Sequence, residues 1–218
     1  MQPGRVVLFV NGEMPNIPAM RTVIRPDDLI VAVDGGLQHV LSLGLEPHWI
    51  IGDMDSAAAD ELQHWQAKGV RIDRYPVEKD ETDLELALQS VMQDGYHTVL
   101  IAAATGGRLD HTLGNLYLLS APYLQDFDVR LDDGLAEIFL IRDEADINGA
   151  AGDIVSLLPL EAAVEGVLTT NLQFPLRWET LYPEKTRGIS NVMLGEHARM
   201  EIAHGTLLCI HYRNQYLE

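Results

Sequence analysis

Short hydrophobic runs alternate with segments of helical hydrophobic spacing in the first part of the chain. The runs lie at Val6–Val10, Leu29–Val33, Trp49–Ile51 and Val99–Ala104. Between them, hydrophobic residues recur every three or four positions, as at Leu84, Leu88 and Val91. Strands that alternate with amphipathic helices are typical of a parallel sheet covered by helices. The pattern predicts an α/β domain with a Rossmann-like, mostly parallel sheet over residues 1–130.

The pattern changes after about residue 125 to a series of short β-type runs. These runs are separated by Gly, Asp and Pro turns and lie at Glu137–Ile141, Ile154–Leu158, Val164–Leu168, Arg199–Ile202 and Leu207–Tyr212. Successive short strands with intervening turns predict an antiparallel β-sandwich. We place this second domain at residues 131–218, so the predicted fold class is α/β with a separate C-terminal β domain.

Turn and capping residues predict where the elements of the first domain end. Every hydrophobic run there except Val6–Val10 is followed by an Asp or Gly turn. Asp83 is predicted to cap the N-terminus of a helix that Gly95 ends. Ser56 is predicted to cap another helix, which ends near Gly69. The acidic turns therefore fall where strands pass into helices, which is the ligand-binding edge of an open α/β sheet.

The composition describes a chain that can bury a core without disulfides. Of its 218 residues, 47% are hydrophobic, and the single cysteine, Cys209, lies in an apolar run where a buried thiol is expected. The sequence contains no signal peptide and no stretch of roughly 20 apolar residues that could span a bilayer. A net charge of −18 repels nucleic-acid phosphates. We expect a cytoplasmic protein with neither a membrane nor a nucleic-acid partner.

Two acidic motifs directly follow predicted strands. Asp34 precedes Gly35 and Gly36, which allow a sharp turn or a close approach to a ligand. Asp53 and Asp55 lie two positions apart after the next strand. Carboxylates about 4 Å apart repel by about 4 kcal/mol at an effective dielectric constant of roughly 20. Magnesium relieves such repulsion and takes one or two protein carboxylates, so the pattern favours a magnesium site, with a solvated turn as the alternative.

Two further motifs favour phosphate binding. Lys79 and Asp83 bound a third acidic turn, in which the lysine could meet a phosphate group. Gly107 and Arg108 follow the strand at Val99–Ala104 and open a helix, as in many phosphate sites. The alternatives are a purely structural cap at Asp83 and an ordinary structural turn at Gly107. Fingerprints of P-loop, dinucleotide and zinc sites are absent from the sequence.

Taken in order, these motifs resemble the signature of the thiamine pyrophosphokinase family. The four blocks are Asp34–Gly36, Gly52–Ser56, Lys79–Asp83 and Gly106–His111. The resemblance continues into the second domain at Gly152–Leu157, Gly166–Thr170 and Arg187–Asn191. It implies a Mg²⁺-dependent transfer of diphosphate from ATP to the hydroxyl of thiamine, giving thiamine diphosphate and AMP. It also implies a homodimer whose active site lies between the α/β domain of one subunit and the β domain of the other.

The resemblance also implies a role for each matching residue. The expected metal ligands are Asp53, Asp55 and Asp83. The expected catalytic residues are Asp53, Asp55, Asp83, Arg108 and Asp110. The expected nucleotide-binding residues are Asp34, Gly35, Gly36, Lys79, Gly107, Arg108 and His111. On the thiamine side the expected residues are Phe174, Ser190 and Asn191.

Two departures from the family pattern bear on the ligand contacts. Gln38 stands where the family commonly has Asn, which leaves one nucleotide contact open. The segment 182–186 has no tryptophan, so the ring that stacks on the thiamine pyrimidine is also open.

Two other functions compete with the diphosphate transfer. The first is a phosphohydrolase of the haloacid-dehalogenase kind, because Asp53 and Asp55 resemble its nucleophile and acid. Its acidic pair normally follows the first strand, however, and here the pair follows the third. The second is a thiamine or nucleotide sensor that keeps the fold without turnover, and the complete set of acidic residues favours catalysis over it.

Overall fold

The computed structural model describes residues 4–53, 59–76, 78 and 80–214. The chain divides into two compact units, Met1–Gly134 and Leu135–Glu218. Each unit has its own hydrophobic core. Among the described residues, no helix combines the length and the apolar character needed to cross a membrane.

The first unit is a parallel α/β structure. Its strands are β1 (Val6–Phe9), β2 (Leu29–Val33), β3 (Trp49–Gly52), β4 (Arg71–Arg74), β5 (Thr98–Ala102) and β6 (Asp128–Asp132). Its helices are α1 (Ile17–Val23), α2 (Gly36–Ser42), α3 (Ala59–Ala67), α4 (Asp83–Gln93) and α5 (Leu109–Leu118), and a short 3₁₀ helix follows at Pro122–Leu124. The strand order is β6-β5-β1-β2-β3-β4, and neighbouring strands pair in parallel. The predicted Rossmann-like, mostly parallel sheet is confirmed.

The strand order creates a crevice at one edge of this sheet. Phe9 of β1 lies opposite both Ala32 of β2 and Ala102 of β5, so β1 has neighbours from two different parts of the chain. The chain first adds strands on one side of β1 and later returns to place β5 on the other side. Loops that leave the carboxyl ends of β1 and β5 therefore diverge, which opens the space where ligands of such sheets bind.

One predicted detail of the first unit is wrong. The residue that caps α4 is Thr82, whose hydroxyl accepts the Glu85 N–H, while Asp83 is the first residue of the helix. This leaves the Asp83 carboxylate without the capping role. The predicted cap Ser56 lies outside the described residues.

The second unit consists of antiparallel strands. They are β7 (Ala136–Ile141), β8 (Glu144–Asn148), β9 (Ile154–Pro159), β10 (Val164–Thr170), β11 (Arg177–Leu181), β12 (Asn191–Val192), β13 (His197–Glu201) and β14 (Leu207–Tyr212). The order β7-β14-β9-β12 forms one layer and β11-β10-β13-β8 the other. One hydrophobic core contains residues of both layers, such as Val155 and Met200, together with the fully buried Cys209. The predicted β-sandwich and the buried thiol are confirmed.

A buried contact between Asp153 and His211 ties the end of β14 to the turn before β9. His211 Nε2 lies 2.9 Å from Asp153 Oδ2, and both side chains are almost inaccessible to solvent. Asp153 also accepts the N–H groups of Ala150 and Asn214. Burial alone would raise the pKa of Asp153, but these hydrogen bonds and His211 hold it below its usual value. Asp153 is therefore charged at neutral pH and anchors its own turn to the end of β14.

Candidate active site

Three aspartates from separate loops meet at the carboxyl edge of the parallel sheet. Asp34 follows β2 and Asp53 follows β3, and these strands are parallel neighbours. The Asp53 N–H donates to Asp34 Oδ1 over 3.2 Å. Asp83 begins α4, which packs against β2 and β3, and its carboxyl group is hydrogen-bonded to that of Asp34. The structure therefore brings together three of the sequence-predicted site residues.

The surroundings of Asp34 change its acidity. Burial, followed by the hydrogen bond and charge of Asp83 and the charge of Asp53, together raise the pKa of Asp34 to about 7. The Asp53 N–H opposes the rise. Once Asp34 loses its proton, its charge repels the neighbouring acidic groups. A cation that replaces the proton would relieve this repulsion.

The donor chemistry of this cluster fits magnesium. Carboxylate oxygens are its preferred protein ligands, and one or two suffice because water and phosphate oxygens complete the octahedron. Within the described part of the chain, no group of three or more His, Cys, Asp or Glu side chains is arranged to hold a metal ion. Two predicted residues, Asp55 and Lys79, lie outside that part.

Glycines with close neighbours allow the cluster to form. Gly52 has φ of +153°, and a Cβ atom there would lie 1.7 Å from Asp34 Oδ1. Only glycine lets the end of β3 approach the Asp34 carboxylate this closely. Gly36, at the start of α2, is similarly constrained, since a Cβ atom would lie 1.8 Å from the carbonyl oxygen of Phe9. The turn after β2 therefore lies directly against the end of β1.

Arg108 and Asp110 form a second charged pair at the start of α5. Arg108 Nε donates to Asp110 Oδ1 over 3.1 Å, and Nη2 donates to Oδ2 over 2.5 Å. The hydrogen bond from Arg108 lowers the pKa of Asp110 to about 2, and the N–H of His111 contributes. Both side chains are exposed, as is His111. The Arg108 fork, which here grips a carboxylate, has the geometry that also fits a phosphate.

The turn after β1 contributes residues that the sequence analysis missed. Glu13 Oε1 accepts the N–H of Gly107 over 3.0 Å, although the two residues are 94 positions apart. The Glu13 N–H donates to the carbonyl of Thr105, and Asn11 packs against Gly35. The signal that could have found this turn is the Asn-Gly pair at the end of the first hydrophobic run.

In the second unit, the predicted thiamine-side residues belong to two connected loops. Phe174 is 54% exposed and lies between β10 and β11. Ser190 is exposed, has φ of +57°, and donates its N–H to the buried hydroxyl of Ser156. Asn191 is buried, and its amide is hydrogen-bonded to the backbone N–H and carbonyl of Phe174. The structure therefore brings Phe174 and Asn191 into direct contact.

The fold and the first cluster define the class of protein. It is an α/β enzyme with an acidic site at the carboxyl edge of a parallel sheet and a separate β-sandwich unit. The family model described as "Thiamin pyrophosphokinase, catalytic domain" matches residues 20–141. The model described as "Thiamin pyrophosphokinase, vitamin B1 binding domain" matches residues 140–207. The chain belongs to the thiamin pyrophosphokinase family, which confirms the predicted resemblance.

Known proteins of this family resemble the chain over nearly its whole length. A thiamine pyrophosphokinase of Bacillus subtilis (strain 168) is 29% identical over 205 residues, which cover 93% of this chain and 96% of the relative. The crystal structure of a B. subtilis thiamine pyrophosphokinase has a TM-score of 0.85 at 26% identity and covers 97% of this chain and 100% of its own. A family structure from Enterococcus faecalis has a TM-score of 0.81 at 27% identity, with the same coverage.

Proposed function

We propose that the aspartate cluster and the start of α5 carry out the reaction that family membership assigns to this chain. The chain has thiamine pyrophosphokinase function and is a transferase of thiamine diphosphate biosynthesis. The observation that carries the site assignment is the convergence of Asp34, Asp53 and Asp83. These carboxylates lie at the carboxyl ends of the strands, the side on which ligands of open α/β sheets bind.

In the proposed reaction, the thiamine hydroxyl attacks the β-phosphorus of ATP. The bond between that phosphorus and the oxygen bridging to the α-phosphate breaks, and AMP leaves with the bridging oxygen. The hydroxyl proton passes to a neighbouring carboxylate. Positioning and charge neutralisation supply most of the rate enhancement in phosphoryl transfer, because little covalent chemistry is required of the protein.

Asp53, Asp55 and Asp83 are the proposed ligands of Mg²⁺. When bound, this cation neutralises polyphosphate oxygens as charge develops on them. Asp34 supports the ligand set through its hydrogen bonds to Asp53 N–H and to Asp83. Burial contributes most to the raised pKa of Asp34, and the charges of Asp83 and Asp53 add to it; a cation bound here would offset the contribution of these charges.

Arg108 is the proposed phosphate-binding cation of the nucleotide site, together with the Gly107 N–H and His111. Arg108 already donates a hydrogen bond to the carboxylate of Asp110, and the Gly107 N–H donates to the carboxylate of Glu13. Carboxylates and phosphates use the same donor geometry, so these contacts mark positions that accept anionic oxygen. Lys79 is proposed as a further phosphate contact on the family pattern alone.

Phe174, Ser190 and Asn191 are proposed to form the thiamine side of the site. Phe174 supports this assignment because a ring that is 54% exposed on a hydrogen-bonded loop is available for stacking. Trp178 and Tyr182 are exposed as well. We assign the stacking role to Phe174, because its backbone is held by the buried side chain of Asn191.

A homodimer in the cytoplasm completes the proposal. Leu109, Leu113 and Tyr117 are exposed on one face of α5, and no residue of this fully described helix is buried. An apolar helix face of this kind favours a protein partner.

Two experiments test the homodimer. Size-exclusion chromatography should give a mass of about twice 24.2 kDa. Mixing Asp53→Asn and Phe174→Ala variants should restore activity if each site uses both subunits, and no restoration at any mixing ratio would contradict the shared site.

One assay tests the function itself. The protein is incubated with ATP, Mg²⁺ and thiamine, and the products are separated by chromatography. Equal amounts of AMP and thiamine diphosphate are expected, and Asp53→Asn should abolish both while the circular dichroism spectrum stays unchanged. Release of inorganic phosphate with an aspartyl-phosphate at Asp53 would favour the hydrolase instead. Thiamine binding without products would favour the sensor.

A further inference from the structure

The loop between β10 and β11 is held against the segment that contains β12. The Gln173 N–H donates to the carbonyl of Val192, and the Leu194 N–H donates to the carbonyl of Asn171, each over 2.9 Å. These two bonds form a short ladder that ends just before Phe174. Pro175 follows and has no N–H with which the ladder could continue.

The Asn191 side chain extends this ladder by one residue. Its Oδ1 accepts the Phe174 N–H over 2.9 Å, and its Nδ2 donates to the Phe174 carbonyl over 2.7 Å. The amide thus pairs with the backbone of Phe174 as a neighbouring strand would. Oδ1 also accepts the Val192 N–H over 3.0 Å, so both of its lone pairs are used. Asn191 is only 8% exposed.

A second buried side chain holds the other end of the loop. Thr169 Oγ1 accepts the N–H of Leu176 over 2.8 Å, and both residues are almost fully buried. Phe174 therefore lies between two fixed points, with its backbone held and its ring in solvent. A buried amide that pairs with both the N–H and the carbonyl of one exposed aromatic residue serves to orient that residue.

We propose that Asn191 is a positioning residue that acts on thiamine through Phe174 and makes no hydrogen bond to the substrate. The proposal rests on the proposed function, in which the Phe174 ring stacks on thiamine. A ring whose backbone is already fixed loses less conformational freedom on binding, so the stacked complex is tighter. Without Asn191 the ring samples other positions, and thiamine binding weakens while ATP binding does not.

A double-mutant cycle in the full-length protein tests this inference. Phe174→Ala should raise the KM for thiamine about tenfold or more, in line with stacking losses of about 1–3 kcal/mol per aromatic contact. Asn191→Ala should raise the same KM by several-fold and leave the KM for ATP unchanged. Combining the two changes should give the KM of Phe174→Ala alone. Multiplied effects in the double variant would show that Asn191 contacts thiamine itself and would overturn the proposal.

Two controls separate positioning from a loss of folding. Asn148→Ala removes an exposed asparagine that contacts His197 in the same unit and should leave the thiamine KM within about twofold. Amide hydrogen exchange, followed without substrates, should become faster at Phe174 and Val192 in Asn191→Ala. Unchanged exchange at Phe174 would refute the role of the amide in holding the loop.

The outcomes also separate the inference from the proposed function. If Phe174→Ala leaves the thiamine KM unchanged, the stacking role of Phe174 is wrong, and the positioning role of Asn191 is then wrong as well. If Phe174→Ala raises the KM but Asn191→Ala does not, the stacking role stands and only the positioning role is overturned.

Discussion

Replacing Asp34 with asparagine is expected to stabilise the protein at alkaline pH and to inactivate it. The new amide would mimic the protonated carboxyl, since its oxygen can accept the Asp53 N–H and its NH₂ can donate to Asp83. The wild-type pKa rises from 3.8 to about 7 on folding. From pH 4 upward the unfolded chain loses this proton while the folded chain keeps it. The free energy of unfolding of the wild type therefore falls as the pH rises to about 7, and it loses no more to this group above that pH.

The size of this cost follows from the pKa difference. The rise corresponds to at most about 4 kcal/mol, and we reduce it to about 1–2 kcal/mol because Asp34 is only half-buried and solvent screens its charge. The variant should therefore melt about 3–6 °C above wild type at pH 8. The two should melt together near pH 4. Activity with ATP, Mg²⁺ and thiamine should fall at least 100-fold.

Thermal unfolding of both proteins in EDTA at pH 4, 6 and 8 measures this effect. Asp126→Asn makes the same chemical change on an exposed loop and should shift stability by less than about 0.5 kcal/mol at every pH. A variant that melts below wild type at pH 8, or whose advantage does not depend on pH, would refute the argument from the raised pKa of Asp34.

Three other substitutions test separate parts of the structure. Gly52→Ala should lower the free energy of unfolding by about 3 kcal/mol and remove most of the activity, because the new methyl group displaces the Asp34 carboxylate. The control Gly44→Ala, with φ of +74° and open space around it, should lower the free energy of unfolding by about 1 kcal/mol. Arg108→Ala should raise the KM for ATP at least tenfold and leave the melting temperature unchanged, because its ion pair is exposed. Asp153→Ala should lower the free energy of unfolding by about 3 kcal/mol at pH 7, since it leaves the buried His211 Nε2 and two backbone N–H groups without their acceptor. The pKa of Asp153 is lowered on folding, so this difference should shrink as pH falls below about 4.

Each of these predictions has a result that contradicts it. Equal melting temperatures for the two glycine variants would mean that the Gly52 contact does not constrain the fold. A melting temperature that falls in Arg108→Ala would show a structural role for the arginine. An Asp153→Ala effect of the same size at pH 3 and pH 7 would indicate lost packing rather than a lost charge.

The sequence predicted the strands whose side chains are nearly all hydrophobic. β2 and β3 are buried on both faces, and this burial requires the continuous apolar runs that mark them. Three strands of the β unit, β8, β11 and β12, were not predicted. β8 and β11 carry many charged or polar residues, and β12 has only two residues. Their hydrophobic pattern is therefore weak, and they are strands because they pair with neighbouring strands.

Much of the candidate site was also accessible from the sequence. Asp34 and Asp53 follow consecutive hydrophobic runs, and parallel pairing places the ends of both strands at one edge. The contact of Glu13 with Gly107 was not accessible, because it joins segments 94 residues apart through strand order. The capping residue of α4 was misassigned by one position, since Thr82 and Asp83 are both good caps and only the backbone distinguishes them.

The amino-acid order by itself determined the fold class, the acidic edge and the family, because each depends on residue types at short spacings. Tertiary structure decided which carboxyl groups touch, what their pKa values are, and which side chains hold Phe174 in place. Those properties depend on distances of a few ångströms between residues far apart in the chain. Local patterns carry no information on such distances until the strands have paired.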